Sequence, residues 1–275
     1  MYPELIKIGP FPVHTYGFLI AVGFILAVEV LRNLSIRAQL DTEKVLDAAY
    51  RSLLIGFLGA RVLFVITQWS EFSRDPMGIF RVWEGGFVFL GGPLLVLPYL
   101  VWYARKHKLP LWRFFDVSAP PLALGHAFGR LGCLAAGCCY GKPTGTSYGV
   151  KLYSSIVEPY LQGVPLHPTQ LYEASSLVLL CFGLLWILRR KMFDGQVALS
   201  YLIAYPVIRS VIELFRGDIV RGFVVEGLIS TSQFISIFVF AGAVGMLVYR
   251  LRQVQQENSF KTMHQVPIQE PNRAN

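Results

Sequence analysis

Three arginines of this chain stand inside apolar stretches: Arg61, Arg130 and Arg209. A guanidinium in hydrocarbon costs at least about 2.5–3.5 kcal/mol on insertion scales, so such a residue faces a protein interior or a polar cavity and points to function. Arg130 belongs to "GHAFGRLGCLAAGCCYGKPTG", Gly125 to Gly145. There His126, Arg130, Cys133 and Gly137 recur at i, i+4, i+7 and i+11, which sets them on one face of a helix. Gly125, Gly129 and Gly132 leave room beside that face for another backbone or a lipid headgroup. Gly, Lys, Pro and Thr accumulate from Gly137 onward, so the helix ends there, and Arg130 lies about 10 Å below the membrane surface at that end. A guanidinium fork at that depth can clamp phosphate oxygens in a partly dehydrated setting. Arg209, Glu213 and Arg216, in "YPVIRSVIELFRGD", repeat the pattern at i, i+4 and i+7. In water such a ladder is worth only tenths of a kcal/mol. The spacing suits a glutamate that holds two arginines in place for an anion. Arg61 lacks polar company and reads as a structural bridge, to a carboxylate or to helix-end carbonyls.

Four cysteines complete the reactive inventory. Cys181, among Leu and Phe, reads as inert packing. Cys133 fits equally as a small packing residue or as a partner of the vicinal pair Cys138 and Cys139. That pair lies at a helix end facing an oxidising compartment, where bridges to Cys133 and free thiols are both open. Three cysteines with His126 can in principle hold zinc, but the spacing is not CxxC, and no metal is assigned. "LAAGCC" looks like a lipobox, yet its mid-chain position rules it out as a lipid acceptor. His167, before Pro168, reads as loop packing, and Tyr140, Tyr148 and Tyr153 as an interfacial aromatic belt.

The elements that position these groups follow from the apolar runs. The chain has 275 residues, 54% hydrophobic and 15% charged, against roughly 25% charged in soluble domains. A helix crosses the bilayer core with about 20 apolar residues. Seven runs qualify, near Tyr16–Leu31, Ser52–Trp69, Phe87–Ala104, Val117–Ala136, Gln170–Leu188, Gln196–Leu214 and Leu228–Tyr249. Of the 25 Lys and Arg, 15 follow the first, third, fifth and seventh runs. The positive-inside rule makes those segments cytoplasmic. The expectation is therefore an all-α polytopic membrane protein of about seven transmembrane helices, N-terminus outside and C-terminus cytoplasmic. The net charge of +8 is a topology signal and not a nucleic-acid face. The first run reads as a retained helix and not a signal peptide. Residues 1–252 form one transmembrane domain, and 253–275 read as a disordered cytoplasmic tail. With this topology Tyr16, Gly91 and Gly92, Arg130 to Cys139, "HPTQLYE" (His167 to Glu173) and Arg209 to Arg216 all fall in the outer half of the membrane.

Together these segments resemble the prolipoprotein diacylglyceryl transferase family over nearly the whole chain to about Arg252. The likeness rests on "TYGFLIAVGF" (Thr15 to Phe24), "GARVLFV" (Gly59 to Val65), "DPMGIFRVWEGGFVFLGGPL" (Asp75 to Leu94), "GRLGC" (Gly129 to Cys133), "HPTQLYE" and "RSVIELFR" (Arg209 to Arg216). The resemblance implies a bacterial inner-membrane enzyme whose active site faces the extracytoplasmic side. It implies transfer of diacylglycerol from phosphatidylglycerol to the lipobox cysteine of a prolipoprotein, with release of glycerol phosphate and without a cofactor. It implies that Arg130 binds the lipid, that Arg209 with Glu213 forms a second essential cluster, and that Tyr16 acts from the first helix. Arg130, Arg216, Cys133 and Gly141 are assigned to substrate binding. Tyr16, His126, Arg209, Glu213, Cys138 and Cys139 are assigned to the chemistry. Two departures stand out. Leu90 occupies the position of a family histidine thought to be essential, and Cys133 and Cys138 stand where the signature has Asn and, nearby, Glu. His126 is then the candidate base, against a plain hydrogen bond to a neighbouring helix or a nucleophilic Cys138 or Cys139. The alternatives are a paralogue with another thiol or lipid acceptor, and a phospholipid-binding membrane protein without activity.

Overall fold

Each of the seven apolar runs becomes a helix, and the connections alternate between short and long. The computed structural model describes residues 4–8, 11–154, 156–218, 223–225 and 229–264. A hairpin of β1 (Glu4–Ile8) and β2 (Phe11–His14) leads into α1 (Thr15–Arg37), followed by α2 (Thr42–Thr67), the single turn α3 (Trp69–Phe72) and α4 (Gly91–Lys106). Then come α5 (Leu111–Ala136), α6 (Thr169–Arg190), α7 (Gln196–Glu213) and α8 (Thr231–His264), with β3 to β6 as short pieces of the long connections. Among the described residues, four helices are long and apolar enough to cross a membrane: α1, α2, α6 and the Thr231–Gln256 part of α8. Of the others, α4 has only 16 residues, α5 carries Asp116, His126 and Arg130, and α7 carries Arg209 and Glu213. The last helix runs past Arg252 to His264, so a polar composition expected to be disordered continues the helix there. Residues 265–275 lie outside the described residues.

The packing inverts the pattern of a soluble protein. Leu54, Phe57, Ile66, Leu179, Phe182 and Phe238 are exposed, while Arg61, Asp116, Gln170, Glu173, Arg209, Glu213 and Arg216 are buried. An apolar exterior over a polar interior is what a hydrocarbon solvent selects. At the end where the connections are short, Leu31, Leu34, Val45, Ala48, Tyr103, Ala104, Phe114 and Val117 close a conventional core. The helices meet closely where side chains vanish. A Cβ on Gly23 of α1 would lie 2.3 Å from Phe128 Cβ on α5, and one on Gly59 of α2 would lie 2.3 Å from the Gly91 carbonyl oxygen at the start of α4. Small residues let backbones approach and supply van der Waals contact in lipid.

Two buried charges fasten the frame. Asp116, fully buried on α5, accepts hydrogen bonds from the backbone N–H groups of Gly195 (2.9 Å), Val197 (3.0 Å) and Ala198 (3.0 Å). It thus caps the N-terminus of α7 from another helix, and Lys191 Nζ at 2.8 Å balances its charge. Arg61 donates to the carbonyls of Gly78, Ile79, Arg81, Gly85 and Gly86. Phe64 and Phe72 flank its guanidinium at 5.5 Å. The carbonyl bridge expected for Arg61 is what forms, and it holds the segment between α3 and α4. Tyr140 departs from expectation: it is buried against Leu152, Val157, Leu161 and Leu166, so it belongs to a small core under the α5–α6 connection and not to an aromatic belt. Tyr148 and Tyr153 are exposed.

Candidate functional site

The ends of the helices that carry long connections gather the polar residues. α5 ends in a left-handed glycine, Gly137 with φ 78°, and the chain reverses so that Cys138 N–H donates to the Cys133 carbonyl at 3.1 Å. The first turn of α6 holds the reversed segment: Thr169 Oγ1 donates to the Cys139 carbonyl and Gln170 Nε2 to the Cys138 carbonyl, both at 2.7 Å. Beyond it, Gly141 N–H bonds the His167 carbonyl at 3.0 Å, and Lys142 N–H bonds the Phe215 carbonyl at 2.8 Å. A Cβ on Gly141 would lie 2.5 Å from His167 Cβ and 2.8 Å from the Phe215 carbonyl oxygen. Only glycine threads between those two backbones. Close passage accounts for Gly141, which was assigned to substrate binding. His167 packs as expected, with Nδ1 3.1 Å from the Tyr172 hydroxyl and its ring against Phe215.

Behind this cap stands a network of six charges. Glu173, on α6, is its centre. Its side chain is 3% exposed, and Arg130 Nη2 from α5 reaches Oε1 at 3.1 Å. Arg209 Nη1 from α7 lies 3.8 Å from Oε2, and the Tyr205 hydroxyl donates to Oε1 at 3.1 Å. Arg209 Nη2 pairs with Glu213 Oε2 at 2.7 Å, and Arg216 Nη1 is 3.9 Å from the same oxygen. Ser232, at the start of α8, donates to Glu213 Oε2 at 3.2 Å, and Arg216 forms a second, forked pair with Asp218. A glutamate does stand between the two arginines, but only Arg209 and Glu213 share the helix: α7 ends at Glu213, and Arg216 lies beyond it, bridged to Gly141. Three guanidiniums face three carboxylates. Within this network two donors stand out: Arg130 Nε and Arg209 Nη1 are buried without a hydrogen-bond partner. Buried polar groups are nearly all paired, so each exception calls for a reason.

His126 lies one turn deeper than Arg130, with Nε2 3.9 Å from Glu173 Oε1 and its ring edge-on to Tyr205 at 5.1 Å. Tyr16, in the first turn of α1, is 43% exposed and rests on α5, where a Cβ on Gly132 would lie 3.0 Å from its ring. A Cβ on Gly129 would meet nothing within 4 Å, so of the three glycines expected to leave room, this one opens onto free space. The sulfurs of Cys133, Cys138 and Cys139 lie within 4.8 Å of one another. His126 stands apart from them on the Glu173 side, so the three cysteines group without it. Cys181 is buried among Leu177, Leu184 and Ala123. Leu90 sits at the cap of α4. The sequence reading missed Glu173 as the hub, although an acid inside an apolar run is the same signal that marked the arginines.

Comparison with known proteins bears on this geometry. The family profile described as LGT, prolipoprotein diacylglyceryl transferase, matches residues 3–249. Phosphatidylglycerol–prolipoprotein diacylglyceryl transferase 2 of Clostridium perfringens is 35% identical over 243 residues, 88% of this chain and 92% of its own length. The phosphatidylglycerol–prolipoprotein diacylglyceryl transferase of Clostridium tetani is 33% identical over 257 residues, 94% of this chain and 100% of its own length. That of Synechococcus elongatus is 31% identical over 262 residues, 91% and 89% of the two chains.

Proposed function

Since the chain belongs to the prolipoprotein diacylglyceryl transferase family, we propose that it moves the diacylglyceryl group of phosphatidylglycerol onto the lipobox cysteine of a prolipoprotein. In this reaction the cysteine sulfur attacks the glycerol carbon that bears the phosphate. A carbon–sulfur bond forms, the carbon–oxygen bond breaks, and glycerol phosphate leaves with the bonding electrons as growing negative charge. The observation that carries the proposal is the convergence of Arg130 and Arg209 on one buried carboxylate, with Arg130 Nε and Arg209 Nη1, the latter in only a 3.8 Å ion pair, buried without a hydrogen-bond partner. Those donors are matched to phosphate oxygens, and a preorganised donor of this kind is worth about 10²–10³ in rate. Glu173 and Glu213 are positioning residues: they aim the guanidiniums. The attacking thiol must lose a proton, and an unperturbed thiol near pKa 8.5 is mostly protonated at neutral pH. His126 is the imidazole beside the clamp, with Nε2 3.9 Å from Glu173 Oε1, and it is the group we assign to take that proton.

The same proposal includes the membrane arrangement: α1, α2 and α4 to α8 as seven spans in an inner membrane, with the arginine cluster toward the extracytoplasmic face. The helix ends that flank the short connections between α1 and α2, α4 and α5, and α6 and α7 carry the basic excess, which supports placing those connections in the cytoplasm. Reporter fusions after Arg37, Lys108 and Arg190 then read cytoplasmic, and fusions near Arg74 and Lys151 extracytoplasmic.

The deciding assay uses the purified protein in vesicles containing labelled phosphatidylglycerol and a lipobox peptide. Thioether product and glycerol phosphate should appear together, and Arg130→Ala or Arg209→Ala should abolish both while the protein stays folded. Arg→Lys at either site should restore little, because the ammonium lacks the planar fork. Full turnover by Arg130→Ala would remove the mechanism. His126→Gln with normal turnover would remove the base. Release of glycerol phosphate only when another thiol is supplied would redirect the proposal to another acceptor.

A further inference from the structure

Beside the arginine network lies a group to which the reaction as written above gives no step. The Sγ atoms of Cys133, Cys138 and Cys139 all lie within 4.8 Å of one another, although Cys133 is helical and the other two are not. Thiolates bind zinc at about 2.3 Å, which places three sulfurs round one ion about 4 Å apart. The cluster is therefore within an ångström or so of ligating geometry.

Its backbone is built and not incidental. Gly137 reverses the chain, Cys138 closes back onto Cys133 through its N–H, and Thr169 and Gln170 pin the two following carbonyls. Cys139 is held in the left-handed region, with φ 61°. For a residue with a Cβ that conformation costs about 1–2 kcal/mol, and such strain persists where its surroundings impose it. Here it turns the third sulfur toward the other two. The donor set is all sulfur, with no carboxylate or imidazole in the group. Calcium, magnesium and manganese prefer oxygen, whereas thiolates select copper(I), zinc and their heavier relatives. Three thiolates round such an ion leave net negative charge, and Arg216 and Arg130 act electrostatically on Cys139 from the adjoining network.

We propose that Cys133, Cys138 and Cys139 form a three-sulfur binding site for one thiophilic metal ion, placed at the edge of the arginine cluster. On binding, each ligating thiol gives its proton to solvent, and no electron is transferred.

The test titrates the reduced full-length protein in detergent with cadmium(II). The thiolate-to-cadmium charge-transfer absorption should saturate at one equivalent, and X-ray absorption should find three sulfur neighbours. Cys133→Ser, Cys138→Ser and Cys139→Ser should each weaken binding by more than the roughly tenfold that even outer-shell losses bring. Cys181→Ser should bind as wild type. A second arm needs no variant: cadmium should protect three thiols of the wild-type protein from alkylation, assigned by peptide mass. Equal alkylation with and without cadmium overturns the site, as does binding that survives replacement of all three cysteines. A disulfide joining two of them in protein trapped directly from membranes also overturns it.

Discussion

Replacing Glu173 by glutamine keeps the shape of the hub and removes its charge. The carboxylate is 3.1 Å from Arg130 and 3.8 Å from Arg209, and it accepts from Tyr205 at 3.1 Å. A glutamine oxygen can still accept from Tyr205, but its amide presents donors to guanidiniums that are themselves donors. Arg130, Arg209 and Arg216 would then face only Glu213 and Asp218, leaving one uncompensated buried positive charge. Breaking a buried ion pair by removing one partner costs about 3–5 kcal/mol. At about 2–4 °C per kcal/mol for a chain of this size, thermal stability in detergent should fall by on the order of 10 °C. The lost charge can be replaced from outside. A ligand at a hundred times its Kd adds about 2.7 kcal/mol, so micelles with phosphatidylglycerol should recover much of the loss, and micelles with only zwitterionic lipid should not. Turnover should fall by at least about 10², because the guanidiniums lose the group that aims them. The assay is a thermal-unfolding series in both micelle types, beside the vesicle transfer assay. A Glu173→Gln protein as stable as wild type would show that the carboxylate does not organise the arginines. Equal rescue by both lipids would show that the arginines do not read the phosphate.

Three further outcomes follow from the fold. Arg61→Met keeps the aliphatic stem but loses the contacts to five carbonyls; at least about 3 kcal/mol should be lost, with faster proteolysis within residues 74–90. Gly141→Ala drives a Cβ to within 2.6 Å of the His167 carbonyl oxygen and should cost about 1–3 kcal/mol or more, whereas Gly129→Ala meets open space and should melt at or above wild type. Burial pushes the Asp194 carboxyl up, but hydrogen bonds from Lys191 and Arg113 outweigh it and hold its pKa below the ordinary value. Its contribution is therefore full above that value and lost as pH falls through the depressed one. The melting difference between wild type and Asp194→Asn should be full at neutral pH, begin to shrink as pH drops below about 3.9, and vanish only below the depressed value.

The helices were legible because hydrocarbon imposes long apolar runs, and each of the seven became one helix. The arginines were legible for the complementary reason that a charge in such a run is expensive. Glu173 carries the same signal, an acid inside the run Gln170–Leu188, whereas Asp116 stands one residue before the run Val117–Ala136. Asp116 shows what periodicity cannot reveal: its partners are N–H groups of residues 195–198, about 80 positions away, and no local pattern encodes that pairing. The meeting of Cys133 with Cys138 and Cys139 depends on a left-handed residue that is not glycine. The sequence left a bridge and free thiols equally open there, since the reversal at Gly137 sets the approach and spacing alone does not. Gly141 is assigned to substrate binding by the sequence, and what no local pattern shows is that backbones from residues 167 and 215 are brought alongside it.

The bond from Asp116 to the start of α7 has a consequence for how this lineage can change in length. α5 and α7 are riveted together at one end, and each bears an arginine of the clamp further along, 14 residues beyond Asp116 in one case and 12 beyond Val197 in the other. A single inserted residue in either stretch would swing its guanidinium by about 100° and advance it by about 1.5 Å, while the rivet kept the partner helix where it was. Insertions and deletions in homologous chains should therefore be absent between Asp116 and Arg130 and between Val197 and Arg209. They can accumulate in the long connections outside the stretches that are tied down, 78–86, 137–142 and 214–218, where a changed length leaves the distance between the two arginines as it was.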